Sequence, residues 1–331
     1  MKSGPDVLRV TARGEAPLLQ PPDLEAFRAH NRAKDKRLVP KLTTGSQAID
    51  KFVRNGQYLG FELYGSVRCP MTLTRDLIRS GKRGFSIAGQ GVHEADLLLA
   101  AGLVERIDFT YIGMEVYGVS DIVRRACEPG GTVRDIVEWS NGALTWRFKA
   151  ASMGVPFLPT YSMLGTDTFR HSAAVAVECP FTHKPVALLP ALILDVGFIH
   201  VARADEFGNC QIDGVSGFAF EMARACKRLI VSAEEIVSTD RIRDQPDRTI
   251  IPYYLVDAVV HAPFGSWPGE MAGYYERDEE HYRAFIETSH SKEATDAYLR
   301  EWVTGLSGHA ELMEKVGTAR LEKLRVKGGR R

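Results

Sequence analysis

Gly84-Phe85-Ser86-Ile87-Ala88 is a short apolar run entered through Gly81, and Glu94-Ala95-Asp96-Leu97-Leu98-Leu99-Ala100-Ala101 follows it with the composition of a helix. Arg106-Ile107-Asp108-Phe109-Thr110-Tyr111-Ile112 then returns to aromatic and β-branched texture. The alternation continues with a helix expected over 119–127, a strand over 133–137, a helix over 143–153 and a strand over 157–160. Strands separated by helices cannot close by tight hairpins, so each return to the sheet is a crossover. The pattern predicts an α/β fold with an open, mostly parallel sheet and flanking helices.

Upstream, residues 57–64 read as a strand, and Pro70 stands where an N1 proline opens a helix that stops at Gly81. Downstream, apolar runs at 186–201 and 228–231 are separated by a helix expected near 218–226. Residues 1–40 are polar and punctuated by proline, and read as an N-terminal arm before a single domain over 41–331. From Asp278 onward the texture is helical and charged, suggesting a solvated outer layer.

Lys+Arg and Asp+Glu both total 42, so no net field draws the chain to nucleic acid or to an anionic membrane. The greasiest stretch, 186–201, is broken by Pro190, Asp195 and His200 and is not a membrane span. Residues 1–20 hold charges and prolines without an apolar block, so no secretory signal is expected. The five cysteines, an odd number with no CxxC spacing, read as reduced thiols of a cytoplasmic protein.

Gly89-Gln90-Gly91 begins like a dinucleotide fingerprint, but Glu94 stands where its third glycine belongs, and a tight turn is the better reading. No GxSxG and no HExxH occurs and the nine histidines are scattered, so neither a serine hydrolase nor a metal site is expected. His200 and His261, at the ends of apolar runs, read as satisfied structural histidines. Glu62 and Glu115 lie in similar aromatic surroundings, Tyr58 to Tyr64 and Tyr111 to Tyr117. A buried glutamate needs a partner or a raised pKa. Each is therefore an ion pair, with cations such as Arg68 or Arg124, or a functional acid or base.

Several ordered segments together resemble the α-subunit of family I CoA-transferases of the glutaconate CoA-transferase type. They are Val137-Glu138-Trp139-Ser140-Asn141-Gly142-Ala143-Leu144 with Val155-Pro156-Phe157-Leu158-Pro159-Thr160; Met163-Leu164-Gly165-Thr166-Asp167; Leu194-Asp195-Val196-Gly197-Phe198-Ile199-His200; Glu234-Glu235-Ile236-Val237; and Val256-Asp257-Ala258-Val259-Val260 with Ala262-Pro263-Phe264-Gly265-Ser266-Trp267-Pro268. The resemblance runs from about Lys41 to Leu324. It implies the open sheet shared by CoA-transferases and sugar-phosphate isomerases, coenzyme A as substrate rather than a covalently bound cofactor, and an acyl-CoA and a carboxylic acid as reactants.

In that family the nucleophile is a glutamate of the β-subunit, in a Glu-Asn-Gly type motif. No such triplet occurs here. The resemblance therefore implies a β-subunit partner, in an α2β2 or larger assembly. Asn141, which replaces the family's usual glutamine, is implied as an oxyanion donor, with loop capping as its other reading. Tyr64, Gly65, Ser66, Ser140, Gly165 and Thr166 are implied as substrate-binding residues. Glu62 falls on or beside a normally small position, which keeps open a second activity, hydrolysis of a ring-cleavage CoA thioester. The branch with that activity carries an acid next to the position of Gly142, where this chain has Asn141.

Overall fold

A computed structural model describes residues 8–327. Thirteen strands are numbered along these residues: β1 (Val10–Arg13), β2 (Leu42–Thr43), β3 (Tyr58–Glu62), β4 (Phe85–Gly91), β5 (Val104–Ile112), β6 (Asp135–Glu138), β7 (Phe157–Thr160), β8 (Val175–Glu178), β9 (Pro185–Pro190), β10 (Leu194–Ala204), β11 (Cys210–Gln211), β12 (Cys226–Ile236) and β13 (Ala258–His261). Nine of them form the main sheet in the order β2-β13-β12-β10-β3-β4-β5-β6, with β11 paired to β10. Every pairing in that path is parallel, and only the β10–β11 pair is antiparallel. The expected open, mostly parallel sheet is the one observed.

The central strands are apolar because both faces are covered. All five residues of β3 are buried. Along β10, Val196 and Phe198 enter one core and Ile199 and Val201 the other, following the alternation of strand side chains. Helices Gly45–Phe52, Met71–Arg79, His93–Ala100 and Asp121–Cys127 supply residues to the first core. Helices Asn141–Met153 and Ala219–Arg224 supply the second.

A smaller antiparallel sheet, in the order β1-β8-β9-β7, packs beside the second core and was not foreseen. The strand expected over 157–160 exists as β7 but pairs antiparallel with β9 here and not in the parallel sheet, while β1 and β8, four residues each, are too brief to read from alternation. Within the stretch read as an arm, β1 joins this sheet, and helix Leu24–Ala33 docks on the main body. Phe27 is buried, Lys34 Nζ lies 2.6 Å from Asp257 Oδ2, and His30 Nε2 lies 2.9 Å from the Lys227 carbonyl.

The C-terminal helices differ from the expected outer layer. Tyr282, Phe285, Tyr298 and Val303 are buried in the first core. Their spacing gives an apolar stripe that the surrounding charges hide from a compositional reading. The five cysteines form no disulfide, and burial pushes the Cys69 and Cys210 thiols well above their ordinary range. His200 is satisfied as expected: Nδ1 lies 2.8 Å from Ser232 Oγ and Nε2 lies 2.7 Å from Glu234 Oε1.

Candidate active site

β3, β4, β5 and β6 run parallel, so the loops leaving their carboxyl ends collect at one edge, where ligands of open α/β sheets bind. A cleft of about 590 Å3 opens there, lined by Tyr64, Gly65 and Ser66 after β3, Gln90 of β4, Tyr111 and Glu115 at the end of β5, and Asn141 after β6. Glu270 and Arg277 close it from the C-terminal segment.

Helix Asn141–Met153 aims its first turn at this cleft, and a buried ion pair fixes its position. Arg147 Nη1 donates to both oxygens of Asp108 on β5 at 2.8 Å, its Nε donates to the Pro190 carbonyl at 3.1 Å, and its guanidinium lies 4.1 Å from the Trp139 ring centroid. The Tyr58 hydroxyl and Trp139 Nε1 also donate to Asp108. Burial first, and then the Asp108 charge, push the Tyr58 hydroxyl well above its usual range.

Ser140 is the N-cap of this helix: its Oγ accepts from the Ala143 amide at 3.1 Å. Capping therefore falls to Ser140, and Asn141 is left as the first helical residue with its carboxamide on the cleft. Asn141 Oδ1 accepts from Gln90 Nε2 at 3.2 Å, and Gln90 Oε1 accepts from the Gly65 amide at 3.1 Å. The first-turn amides of any helix lack intrahelical partners and carry its positive pole, so this end suits a developing negative charge.

Glu115 does not continue a strand. It sits in a single helical turn, Glu115–Tyr117, with φ 53°, in the left-handed region that few non-glycine residues occupy. Its side chain is exposed and makes no ion pair among the described residues, while Arg124 pairs with Asp121 instead. Its amide donates to the Tyr111 hydroxyl at 3.1 Å. A Cβ on Gly65, whose φ is 59°, would fall 2.4 Å from Glu115 Oε1, so glycine there admits both the turn and the carboxylate.

On the opposite wall Ser66 Oγ accepts from Arg277 Nη1 at 3.1 Å and donates to Glu270 Oε1 at 3.3 Å. Arg277 is held in turn by Glu279 at 2.7 Å and lies over the Tyr117 ring. Glu62 is elsewhere, sealed beneath the cleft against Arg68.

The coenzyme A transferase family matches residues 42–262. The chain is 30% identical over 281 residues to the A-subunit of 3-oxoadipate CoA-transferase of Pseudomonas knackmussii, covering 84% of this chain and 99% of that one. The chain belongs to the coenzyme A transferase family. The A-subunit of glutaconate CoA-transferase of Acidaminococcus fermentans is 30% identical over 312 residues, 88% of this chain and 96% of its own. The crystal structure of glutaconate CoA-transferase from that organism superposes with a TM-score of 0.83 at 28% identity, covering 86% of this chain and 96% of the other. A cholesterol ring-cleaving hydrolase IpdA subunit of Mycobacterium tuberculosis is 26% identical over 263 residues, 76% of this chain and 90% of its own.

In this coenzyme A transferase chain, five residues expected at the site do meet at the cleft: Tyr64, Gly65, Ser66, Glu115 and Asn141. Gly165 lines a separate hollow with Tyr161 and Leu164, and Thr166 caps helix Asp167–Arg170 by accepting from the Phe169 amide at 3.2 Å. Sequence reasoning missed Gln90, Glu270 and Arg277. The signal for Gln90 was present, a polar residue between two glycines at the end of a strand. Glu270 and Arg277 lie beyond the family match and have no local signature. Among the described residues no cluster is arranged to hold a metal ion, and no helix is long and apolar enough to cross a membrane.

Proposed function

We propose that this chain is the α-subunit of a heteromeric CoA-transferase, working in an α2β2 or larger assembly with a β-subunit that supplies the nucleophilic glutamate. One observation carries the reading: the family's Ser140-Asn141-Gly142 segment opens a helix aimed into a cleft shared with Tyr64, Gly65 and Ser66. The rim favours a second chain closing that cleft, since Tyr64, Tyr111 and Val116 are exposed by 51%, 38% and 81%.

The partner's carboxylate oxygen attacks the thioester carbonyl, a C–O bond forms, and the C–S bond breaks to release CoA thiolate. The thiolate attacks the glutamyl carbonyl of the resulting anhydride and frees the donor acid, leaving a glutamyl-CoA thioester. The acceptor carboxylate attacks that thioester, and the thiolate released then attacks the acyl carbonyl of the second anhydride. Product acyl-CoA and the original glutamate result, with no net proton, electron or phosphate required. Each step develops an oxyanion, and Asn141 Nδ2 is the donor this chain offers, an interaction of about 2.7–4 kcal/mol in comparable sites.

The test is transfer between acyl-CoA and a carboxylic acid by the purified chain and by the chain co-expressed with its β-subunit. Activity is expected only in the complex, and transfer by the lone chain would refute the assignment.

The carboxylate of Glu115, which has no ionic partner among the described residues, favours a second reading, in which it acts as a base toward water and the complex hydrolyses a ring-cleavage CoA thioester. A strained backbone that holds a charged group on a cleft is a feature of working sites.

A further inference from the structure

Gln90 stands where the ladder between β4 and β5 slips: Gly89 faces Phe109, but Gly91 faces Ile112, so β5 carries an extra residue. A Cβ on Gly89 would fall 2.6 Å from the Phe61 carbonyl oxygen, and one on Gly91 would fall 2.7 Å from the Phe109 ring. The two glycines thus let the strand press against its neighbours on both sides of Gln90 and bring that side chain onto the cleft.

The polarity of the carboxamides that follow is decided by a backbone group. The Gly65 amide can only donate, so the end of Gln90 that faces it, at 3.1 Å, must be the oxygen. The opposite end of Gln90 is then the NH2, and what faces it from Asn141 at 3.2 Å must be Oδ1. Asn141 therefore turns its Nδ2 away from Gln90, and among the described residues that NH2 makes no hydrogen bond while Asn141 lines the cleft. One fixed N–H sets the direction of two side-chain amides in series.

We propose that Gln90 is the positioning residue of this site. It holds the Asn141 carboxamide with its NH2, and not its oxygen, toward the reacting carbonyl. The proposal rests on the reading of Asn141 as an oxyanion donor. A carboxamide released from Gln90 can rotate and present its oxygen to a developing oxyanion, which repels it.

The test is a double-mutant cycle in the αβ complex. Gln90→Glu still accepts from the Gly65 amide but cannot donate, and its carboxylate draws the Asn141 NH2 toward itself and out of the cleft. We expect kcat to fall about 10²-fold, as for loss of an oxyanion donor, with a smaller change in KM and unaltered assembly and melting temperature. In the Asn141→Ala background the same change is expected to have little further effect, because no carboxamide remains to be turned. If the charge upsets folding, Gln90→Met, neutral and of similar length, is expected to slow turnover about tenfold, again only when Asn141 is present.

A slow Asn141→Ala with a normal Gln90→Glu, or with losses that multiply in the double variant, would overturn the positioning role and leave Asn141 as the donor. A normal Asn141→Ala would overturn the donor reading itself, and the positioning role with it.

Discussion

Glu62 and Arg68 form a bidentate ion pair with no exposure to solvent: Arg68 Nη1 lies 2.6 Å from Glu62 Oε2, and Nη2 lies 2.9 Å from Oε1. The pair sits where the strand order changes direction, between β3 and β10. Arg68 Nη1 also donates to the His200 carbonyl of β10 at 3.4 Å, and its Nε donates to the Val215 carbonyl at 3.1 Å. A Cβ on Gly217 would fall 2.5 Å from Glu62 Oε1, so that glycine leaves room for the carboxylate. A charge this deep is tolerated because both carboxylate oxygens and all three guanidinium nitrogens are hydrogen-bonded.

Glu62→Gln is expected to lower stability by roughly 3 kcal/mol, because the uncompensated guanidinium stays buried. Turnover per assembled complex is expected to be unchanged, since Glu62 does not line the cleft. Thermal unfolding and turnover measured on the same variant decide the matter. An unchanged melting temperature with turnover lost would make Glu62 an acid or base of the reaction.

Asn141→Ala is expected to lower kcat about 10²-fold in the complex while assembly and stability remain, because Ser140 and not Asn141 caps the helix. Asn141→Gln keeps the NH2 and is expected to retain more activity. An equal loss of melting temperature would show that the side chain serves the helix and not the reaction.

These two residues show what the sequence made legible. β3 is apolar on both faces, so a glutamate within it needed a partner or a raised pKa, and Arg68, six residues on in the loop that follows, was one candidate partner. Asn141 was found through the resemblance of the segment around Gly142 to the family's block, in which it takes the place of the usual glutamine. Arg277 and Glu270 could not be found this way. They reach the cleft from about 200 residues downstream of Ser66, and their approach depends on how the C-terminal segment folds back over β3. The small antiparallel sheet was hidden for a related reason, since β1 and β8 pair across more than 160 residues and neither strand exceeds four residues. The surroundings of Glu115 resemble those of Glu62 in sequence because tyrosines bound both stretches, whereas here the chain turns at Gly113 and enters a helical turn.

Glu115→Gln separates the two readings of the site. If the complex transfers CoA through the partner's glutamate, the change is expected to alter turnover by less than about threefold, because the carboxylate takes no covalent part. If the complex hydrolyses a thioester, the same change removes the base toward water, lowers kcat by 10²-fold or more, on the order of general-base catalysis, and abolishes the acid limb of the pH profile. The chain's melting temperature is not expected to fall, since Glu115 is exposed and without an ionic partner among the described residues.

A last prediction concerns Glu94, which lies behind the cleft on helix His93–Ala100 and is fully enclosed. Its Oε1 accepts from the Val92 amide at 3.2 Å, but Oε2 has no hydrogen-bond partner. Burial pushes its pKa up to about 8, more than offsetting the Val92 hydrogen bond, and the neighbouring Asp96 carboxyl adds to the rise. Asp96 is itself pushed up to about 7, again chiefly by burial. Near neutral pH the folded chain therefore keeps the Glu94 proton that an unfolded chain, titrating near 4.5, has released. Below that unfolded value both states are protonated and the group imposes no penalty. Between the two values each pH unit weakens the fold by about 1.4 kcal/mol, and above the folded value the loss is complete. Glu94→Gln has the same shape and never ionises, so it lacks this slope. The variant is expected to melt with the wild type at pH 4.5 and above it at pH 8, with the gap widening between. Parallel melting curves across that range would show that Glu94 is ionised in the folded chain.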